Sequence, residues 1–409
     1  MHILWIKTEL LHPVDKGGRI RTYQMLRQLR REHRITYLAL DDGAGGPEAI
    51  ERASEYCTDV VVVPFTARAK RTNGFYWELL QNLASPLPYA VAKYRSPALT
   101  RELRRLVGEG DVDVIVCDFL FPSLNVPSGL GVPMVLFQHN VEAAIWERHA
   151  QVASHPVKRL YMREQWRRMR AFEGRECRRF DKVVAVSRED CGVLERTYGL
   201  RGVEEVPTGV DTDFFRPGNP VARNSNEIVF TGSMDWLPNE DAVAWFAEAI
   251  LPRIRAEVPD VRFTIVGRTP SQPVLELARA HRDITVTGSV ADVRPYMERA
   301  AAFVIPMRVA GGTRLKVYEA MGMEIPIVST TIGIEGLPVR HDLELLVADE
   351  PDAFAASVVR LLREPALGAR LATNAATRVR AEFGWREVAS RFARICGALR
   401  AERRVHVPA

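Results

Sequence analysis

Short apolar runs alternate along this chain with longer stretches whose apolar positions recur at helical spacing. Residues 2 to 8 (HILWIKT) read as a strand, followed by a loop holding Gly17 and Gly18. A helix follows with Ile20, Tyr23, Met25, Leu26 and Leu29 as its apolar positions. Further strands are expected at 34–40 (RITYLAL), 59–65 (DVVVVPF), 112–119 (VDVIVCDF), 133–139 (PMVLFQH) and 182–187 (KVVAVS). Helical patterns fall between most of them, including 97–107 and 156–180. This is how a parallel sheet with crossover helices looks in sequence.

Near 205–220 the text EVPTGVDTDFFRPGNP is dense in Pro and Gly and has no period, which suits a connection between domains. A second alternating set follows. Strands at 228–231, 262–266 and 284–287 run into Gly232, Gly267 and Gly288, with helices near Asn239 and Pro273. A strand at 303–306, a loop with Gly311 and Gly312, a helix from Thr313 and a strand at 326–329 come next. Amphipathic helices at 352–363, 366–382 and from Trp385 to Arg404 close the chain. Two Rossmann-like α/β halves are expected: 1–218, then 219–384, with 385–409 a last helix packing back on the first domain. Loops at the carboxyl edges of the strands would face ligand.

At 409 residues with 47% hydrophobic composition, the chain can build two or three cores. No apolar run approaches the roughly 18 residues needed to span a bilayer, and Lys7 and Glu9 interrupt the start, so a cytoplasmic protein is expected. Five scattered cysteines without a CxxC pair suggest buried thiols and neither a disulfide framework nor a zinc site. Basic residues number 56 against 51 acidic, so the net charge of +5 does not call for a nucleic-acid partner.

The stretch from Phe303 to Thr330 carries the most chemistry. A strand, a glycine turn and a helix start leave backbone amides and the positive end of a helix dipole free for an anion. Arg314 and Lys316 add cations. Glu319 lies one turn beyond Lys316 and offers an acceptor for sugar or ribose hydroxyls. The same residues would equally suit an ordinary βαβ connection with an exposed i,i+3 pair contributing about 0.2–0.5 kcal/mol. No G-x-G-x-x-G, Walker or G-x-S-x-G pattern is present, which argues against nicotinamide, P-loop and serine-hydrolase chemistry. The Asp111/Asp113 and Asp211/Asp213 pairs are no more than chance spacing, and no metal site is expected.

The succession EVPTGVDTDFF, FTGS, IVG, TVTG, AGGTRLKVYEAMGMEIPIVST and Phe383-Gly384-Trp385 resembles family 4 of the retaining glycosyltransferases, with the GT-B fold. The resemblance implies two Rossmann-like domains facing a central cleft. It implies sugar transfer from a nucleotide diphosphate donor, such as a UDP- or GDP-sugar, with no other cofactor. The second domain would bind that donor and the first a glycan or lipid-linked acceptor. Glu319 matches the second Glu of the family's E-x7-E motif, which holds the ribose. Base contact is expected near Gly288 and Ser289. Gly17 and Gly18 match the glycine-rich loop under the donor phosphates, although a tight helix-on-strand turn would also need glycine. His139 matches a His near the donor sugar, against the alternative of a structural hydrogen bond.

Three positions depart from the family pattern. The first Glu of E-x7-E falls on Gly311, and the usual diphosphate-binding Arg and Lys fall on Ser233 and Asn239. Arg314 and Lys316 then look like relocated cations, in a Gly-Gly-Thr-Arg variant similar to sugar transferases of exopolysaccharide systems. His139, Arg314, Lys316 and Glu319 are the expected catalytic set. The expected donor-binding set is Gly17, Gly18, Gly232, Ser233, Gly267, Gly288, Ser289, Gly311, Gly312, Thr313, Arg314, Lys316 and Glu319. A GT-B sugar-nucleotide epimerase and a non-catalytic donor-binding subunit are the alternatives. Between Lys158 and Lys182, ten basic residues against four acidic ones suit either peripheral contact with an anionic membrane on its inner face or a surface helix packed on the sheet.

Overall fold

A computed structural model describes residues 1–14, 17–43, 45–66, 72–152, 155–218, 223–309 and 315–406. The chain forms two compact units, Met1–Pro207 with Val388–Ala409, and Thr208–Glu387. Residues 208–218, read from sequence as the end of the first domain, belong to the second unit. Val210 is buried in that unit's core and bridges to Gly384.

The first unit contains β1 (His2–Lys7), β2 (Arg34–Asp41), β3 (Asp59–Pro64), β4 (Val114–Asp118), β5 (Met134–Phe137), β6 (Lys182–Ala185) and β7 (Glu204–Glu205). They form one parallel sheet in the order β3-β2-β1-β4-β5-β6-β7. β1 is an interior strand, and its residues 3 to 7 are all buried, as a strand covered on both faces requires. Leu4, Ile6, Leu38, Ile115, Leu136 and Phe172 share one core. On the strand side of the C-terminal helix Trp385–His406, Phe392 packs against Trp5 and Phe137 with ring centroids 5.4 and 5.0 Å apart.

The second unit contains β8 (Asn224–Thr231), β9 (Arg262–Val266), β10 (Ile284–Val286), β11 (Ala300–Ile305), β12 (Ile327–Ser329) and β13 (Leu346–Val347). They are parallel in the order β10-β9-β8-β11-β12-β13. Phe230, Phe263, Phe303, Phe246 and Phe354 centre its core. The two-residue strands β7 and β13 are too short to show a period, and sequence reading misses them. β11 begins at Ala300, earlier than the expected 303, because the alanines 300 to 302 carry no strand signature for sequence reading to find.

Sequence places Gly17 and Gly18 in a loop, whereas they open the helix Gly17–Leu29. All five cysteines are free and buried. No helix among the described residues is long and apolar enough to cross a membrane. The basic helix Pro156–Arg179 divides along its length. From Gln165 onward it packs inward through Gln165, Arg168, Met169, Phe172, Glu173, Glu176 and Cys177. Arg168 there donates to the carbonyls of Asn82 and Leu83 at 2.7 and 2.9 Å, so part of its basic character is structural. Its first turn is exposed, with Val157 at 69% and Leu160 at 71%.

Candidate functional site

In both sheets the strand order reverses beside the first strand of the unit, between β1 and β4 and between β8 and β11. Chain connections leave such a point in opposite directions, which opens a crevice at the carboxyl ends of the strands. Each unit carries a cluster of polar side chains at this place.

In the second unit, β8 ends at Thr231 and turns through Gly232 and Ser233. Lys316, in the first turn of the described helix Leu315–Gly322, reaches this loop. Its Nζ donates to Asn239 Oδ1 at 2.8 Å and lies 4.1 Å from the Phe230 ring centroid. A Cβ on Gly232 would stand 3.1 Å from the same Nζ and 2.7 Å from Asn239 Nδ2, so glycine is what lets the ammonium approach the backbone. Asn239 in turn donates to the Ser233 carbonyl at 2.8 Å. Lys316 is thus beside the Gly232 loop, held by Asn239, the position at which the resemblance leads one to expect a Lys.

Glu319 follows one turn later. Burial pushes its pKa up to about 7, with Lys316 opposing. No hydrogen bond among the described residues offsets that burial. Gly311, Gly312, Thr313 and Arg314, expected to supply amides and a second cation, lie outside the described residues. Gly267 is explained by packing: a Cβ there would lie 1.7 Å from the Gly232 carbonyl oxygen. Gly288 has φ +69°, and Ser289 is exposed. Sequence reading misses Arg268, whose Nε donates to Ser233 Oγ at 2.8 Å. It follows Gly267 directly, and a cation at the carboxyl end of a central strand was the available signal.

In the first unit, His139 sits just past β5, stacked on Phe119 with ring centroids 3.8 Å apart. Its Nε2 is 2.6 Å from Asp118 Oδ1. The other carboxyl oxygen, Oδ2, receives Lys7 Nζ at 2.7 Å, Trp5 Nε1 at 3.1 Å and Thr22 Oγ1 at 2.6 Å. Lys7 also lies 4.2 Å from the Phe119 ring centroid. Phe119 adopts φ +73°, a conformation costing a non-glycine residue about 1 kcal/mol or more, and Gly18 makes room for its ring: a Cβ would meet Phe119 Cζ at 3.0 Å. Gly17 has nothing within 4 Å of a built Cβ.

Burial alone would raise the Asp118 pKa, but Lys7 and then His139 outweigh it and hold the carboxyl below its usual range. Burial pushes the His139 pKa down to about 4 against the pull of Asp118. The cluster therefore pairs Lys7 with a carboxylate that stays ionised and a His139 imidazole that is neutral at pH 7. Lys7 and Asp118 escape sequence reading because 111 residues separate them. In sequence Lys7 counts only as a charge that interrupts the apolar start, and in the structure it is buried to 2% exposure. Among the described residues, no group of three His, Cys, Asp or Glu gathers as a metal-binding set.

Comparison with known proteins follows the same division. Residues 16–214 match the model described as Glycosyltransferase Family 4, and residues 225–364 match that of Glycosyl transferases group 1. An uncharacterized 44.6 kDa protein in the cps region of Klebsiella pneumoniae is 23% identical over 218 residues, covering 52% of this chain and 55% of that one. A D-inositol 3-phosphate glycosyltransferase of Frankia alni is 29% identical over 251 residues, covering 56% and 60%. The chain thus spans between half and two thirds of the length of these curated relatives. The structure of Anabaena HepE in complex with UDP superposes with a TM-score of 0.65 at 14% identity, covering 97% of this chain and 100% of that one. The likeness shows the fold, the GT-B class of α/β architecture. Sheet order, switch-point loops and the two matched models agree, and the chain belongs to glycosyltransferase family 4.

Proposed function

We propose that the chain is a retaining glycosyltransferase that moves a sugar from a nucleotide diphosphate sugar to a glycan or lipid-linked acceptor without a metal ion. The observation that carries this reading is the Lys316 ammonium, anchored on Asn239 against the Gly232 backbone and one turn from Glu319. It supplies positive charge where a diphosphate leaves, and Arg268 at Ser233 Oγ adds a second cation to the same loop. Glu319, half-buried one turn along the same helix, accepts ribose hydroxyls. The anomeric C–O bond to the diphosphate breaks, the acceptor oxygen bonds to the same face, and the acceptor proton passes to the departing phosphate oxygen. UDP in the HepE complex makes uridine nucleotides the first donors to try.

Incubating the full chain with UDP- and GDP-sugars, with and without glycan or lipid-linked acceptors, tests the reading. Transfer with retained anomeric configuration, unaffected by EDTA, is the expected result. Conversion of the donor sugar without acceptor would support the epimerase instead, and nucleotide binding without turnover the donor-binding subunit.

The surface proposed for peripheral membrane contact is the start of the basic helix. Val157 and Leu160 are exposed there beside Lys158 and Arg163, and Trp77, Leu80 and Leu83 are exposed on the segment that Arg168 ties to the same helix. Exposed apolar groups next to cations suit an anionic bilayer. Sedimentation with phosphatidylglycerol vesicles is expected to pull the protein down at low salt. Equal sedimentation of a Leu160→Glu, Lys158→Glu variant would reject this surface.

A further inference from the structure

The three donors on Asp118 Oδ2 have a consequence for His139. Lys7 Nζ and Trp5 Nε1 carry hydrogens and no lone pair, so the atom they meet must be an acceptor. Oδ2 is occupied by them, and Oδ1 is left for the imidazole. A carboxylate held in the ionised form accepts only, so His139 must present a hydrogen at Nε2. A neutral ring has one such hydrogen, and its Nδ1 is then a lone pair.

We infer that Asp118, fixed by Lys7, Trp5 and Thr22, is a positioning residue that locks His139 in the Nε2–H tautomer. Nδ1 is thereby an acceptor for a sugar hydroxyl at the carboxyl edge of the first sheet. His139 acts as a hydrogen-bond acceptor that orients a hydroxyl, with no proton to donate from that nitrogen. Burial, together with the nearby positive charges of Arg21 and Lys7, keeps the ring neutral despite the Asp118 carboxylate. Phe119, stacked on the ring and held in its φ +73° conformation, fixes the ring plane. The inference rests on the transferase reading only for the identity of the hydroxyl.

Replacing the carboxylate with an amide reverses the arrangement. In Asp118→Asn, Lys7 and Trp5 still demand an acceptor, so the amide oxygen turns to them and the NH2 faces His139. Nε2 must then accept, and the ring proton moves to Nδ1, which can no longer accept from that hydroxyl and instead donates to it.

Long-range 1H–15N correlation on the full chain with 15N-histidine, assigned with His139→Gln, reads the tautomer directly. The expected result is an Nε2–H signature for His139 at pH 7 in the natural protein and an Nδ1–H signature in Asp118→Asn. The variant is also expected to lose roughly 10- to 100-fold in kcat/KM for the sugar substrate, the effect of losing the one acceptor that orients the hydroxyl. An Nδ1–H or doubly protonated ring in the natural protein overturns the inference, and so does an unchanged tautomer in Asp118→Asn. The first measurement decides the matter even where the variant does not fold. Should no nucleotide sugar ever turn over while the Nε2–H signature holds, the transferase reading fails and the positioning role stands.

Discussion

Lys316→Ala is expected to lower kcat by about 10²–10³-fold, the usual loss when one preorganised group facing developing charge is removed. The ammonium is held by Asn239 and lies over Phe230, so it pays little reorganisation when charge grows on a leaving diphosphate. That charge is greater in the transition state than in the bound donor, so turnover should fall more than nucleoside diphosphate affinity. The side chain is only partly buried, and the variant should keep a near-normal melting temperature. Lys316→Arg restores the charge but brings a larger head group to a point 3.1 Å from where a Gly232 Cβ would be, and an intermediate rate is expected. Arg268→Ala, on the open side of the loop, should cost about tenfold in affinity, since an exposed cation is screened by solvent. Single-turnover kinetics alongside nucleotide titration separates these effects. If Lys316→Ala and Arg314→Ala together leave both affinity and turnover at the natural level, the cations play no part at the diphosphate.

Period and punctuation made most of the fold readable. Strands such as RFTIV at 262–266 are bounded by turns and found at the residues expected. β7 and β13 were not readable, because two residues cannot show alternation. Lys316 and Glu319 were legible at the site because they share one helix, and spacing along a helix encodes a face. Glycines were legible as positions but not as reasons. Gly267 is needed so that its loop clears the Gly232 carbonyl, and Gly18 so that Phe119 can turn over His139. Neither partner is near in sequence. The Lys7–Asp118–His139 cluster was half legible: His139 drew notice at the end of its strand, while its two partners come from strands whose adjacency is a property of the sheet. A buried lysine is indistinguishable in sequence from an exposed one until the opposing carboxylate is known.

Lys7→Met is expected to destabilise the chain by about 3–5 kcal/mol at neutral pH, because it strands a carboxylate in a buried position. Lys7 is 2% exposed and Asp118 fully buried, so water cannot replace the lost ammonium. In the natural protein the folded-state pKa of Asp118 lies below its unfolded value. Its contribution is therefore fully present above about pH 4 and lost as pH falls through the folded value. Without Lys7, burial dominates and moves the folded pKa above the unfolded one. Stability of the variant then falls as pH rises through about 4, so its deficit should be widest at neutral pH and shrink in acid. Urea denaturation at pH 4 and pH 7.5 measures both gaps. Lys7→Met with Asp118→Asn removes both charges and leaves an oxygen for Trp5 and Thr22, so the pH 7.5 deficit should largely close. A single variant within about 1 kcal/mol of the natural protein at pH 7.5 would mean that water reaches Asp118. A buried ion pair is weak evidence of net stabilisation, since apolar residues of similar volume often serve as well. This pair has a second consequence that apolar residues lack: it keeps Asp118 ionised at the one oxygen that receives the His139 ring. The double variant should therefore regain stability without regaining activity, which separates the cost of the pair from its use.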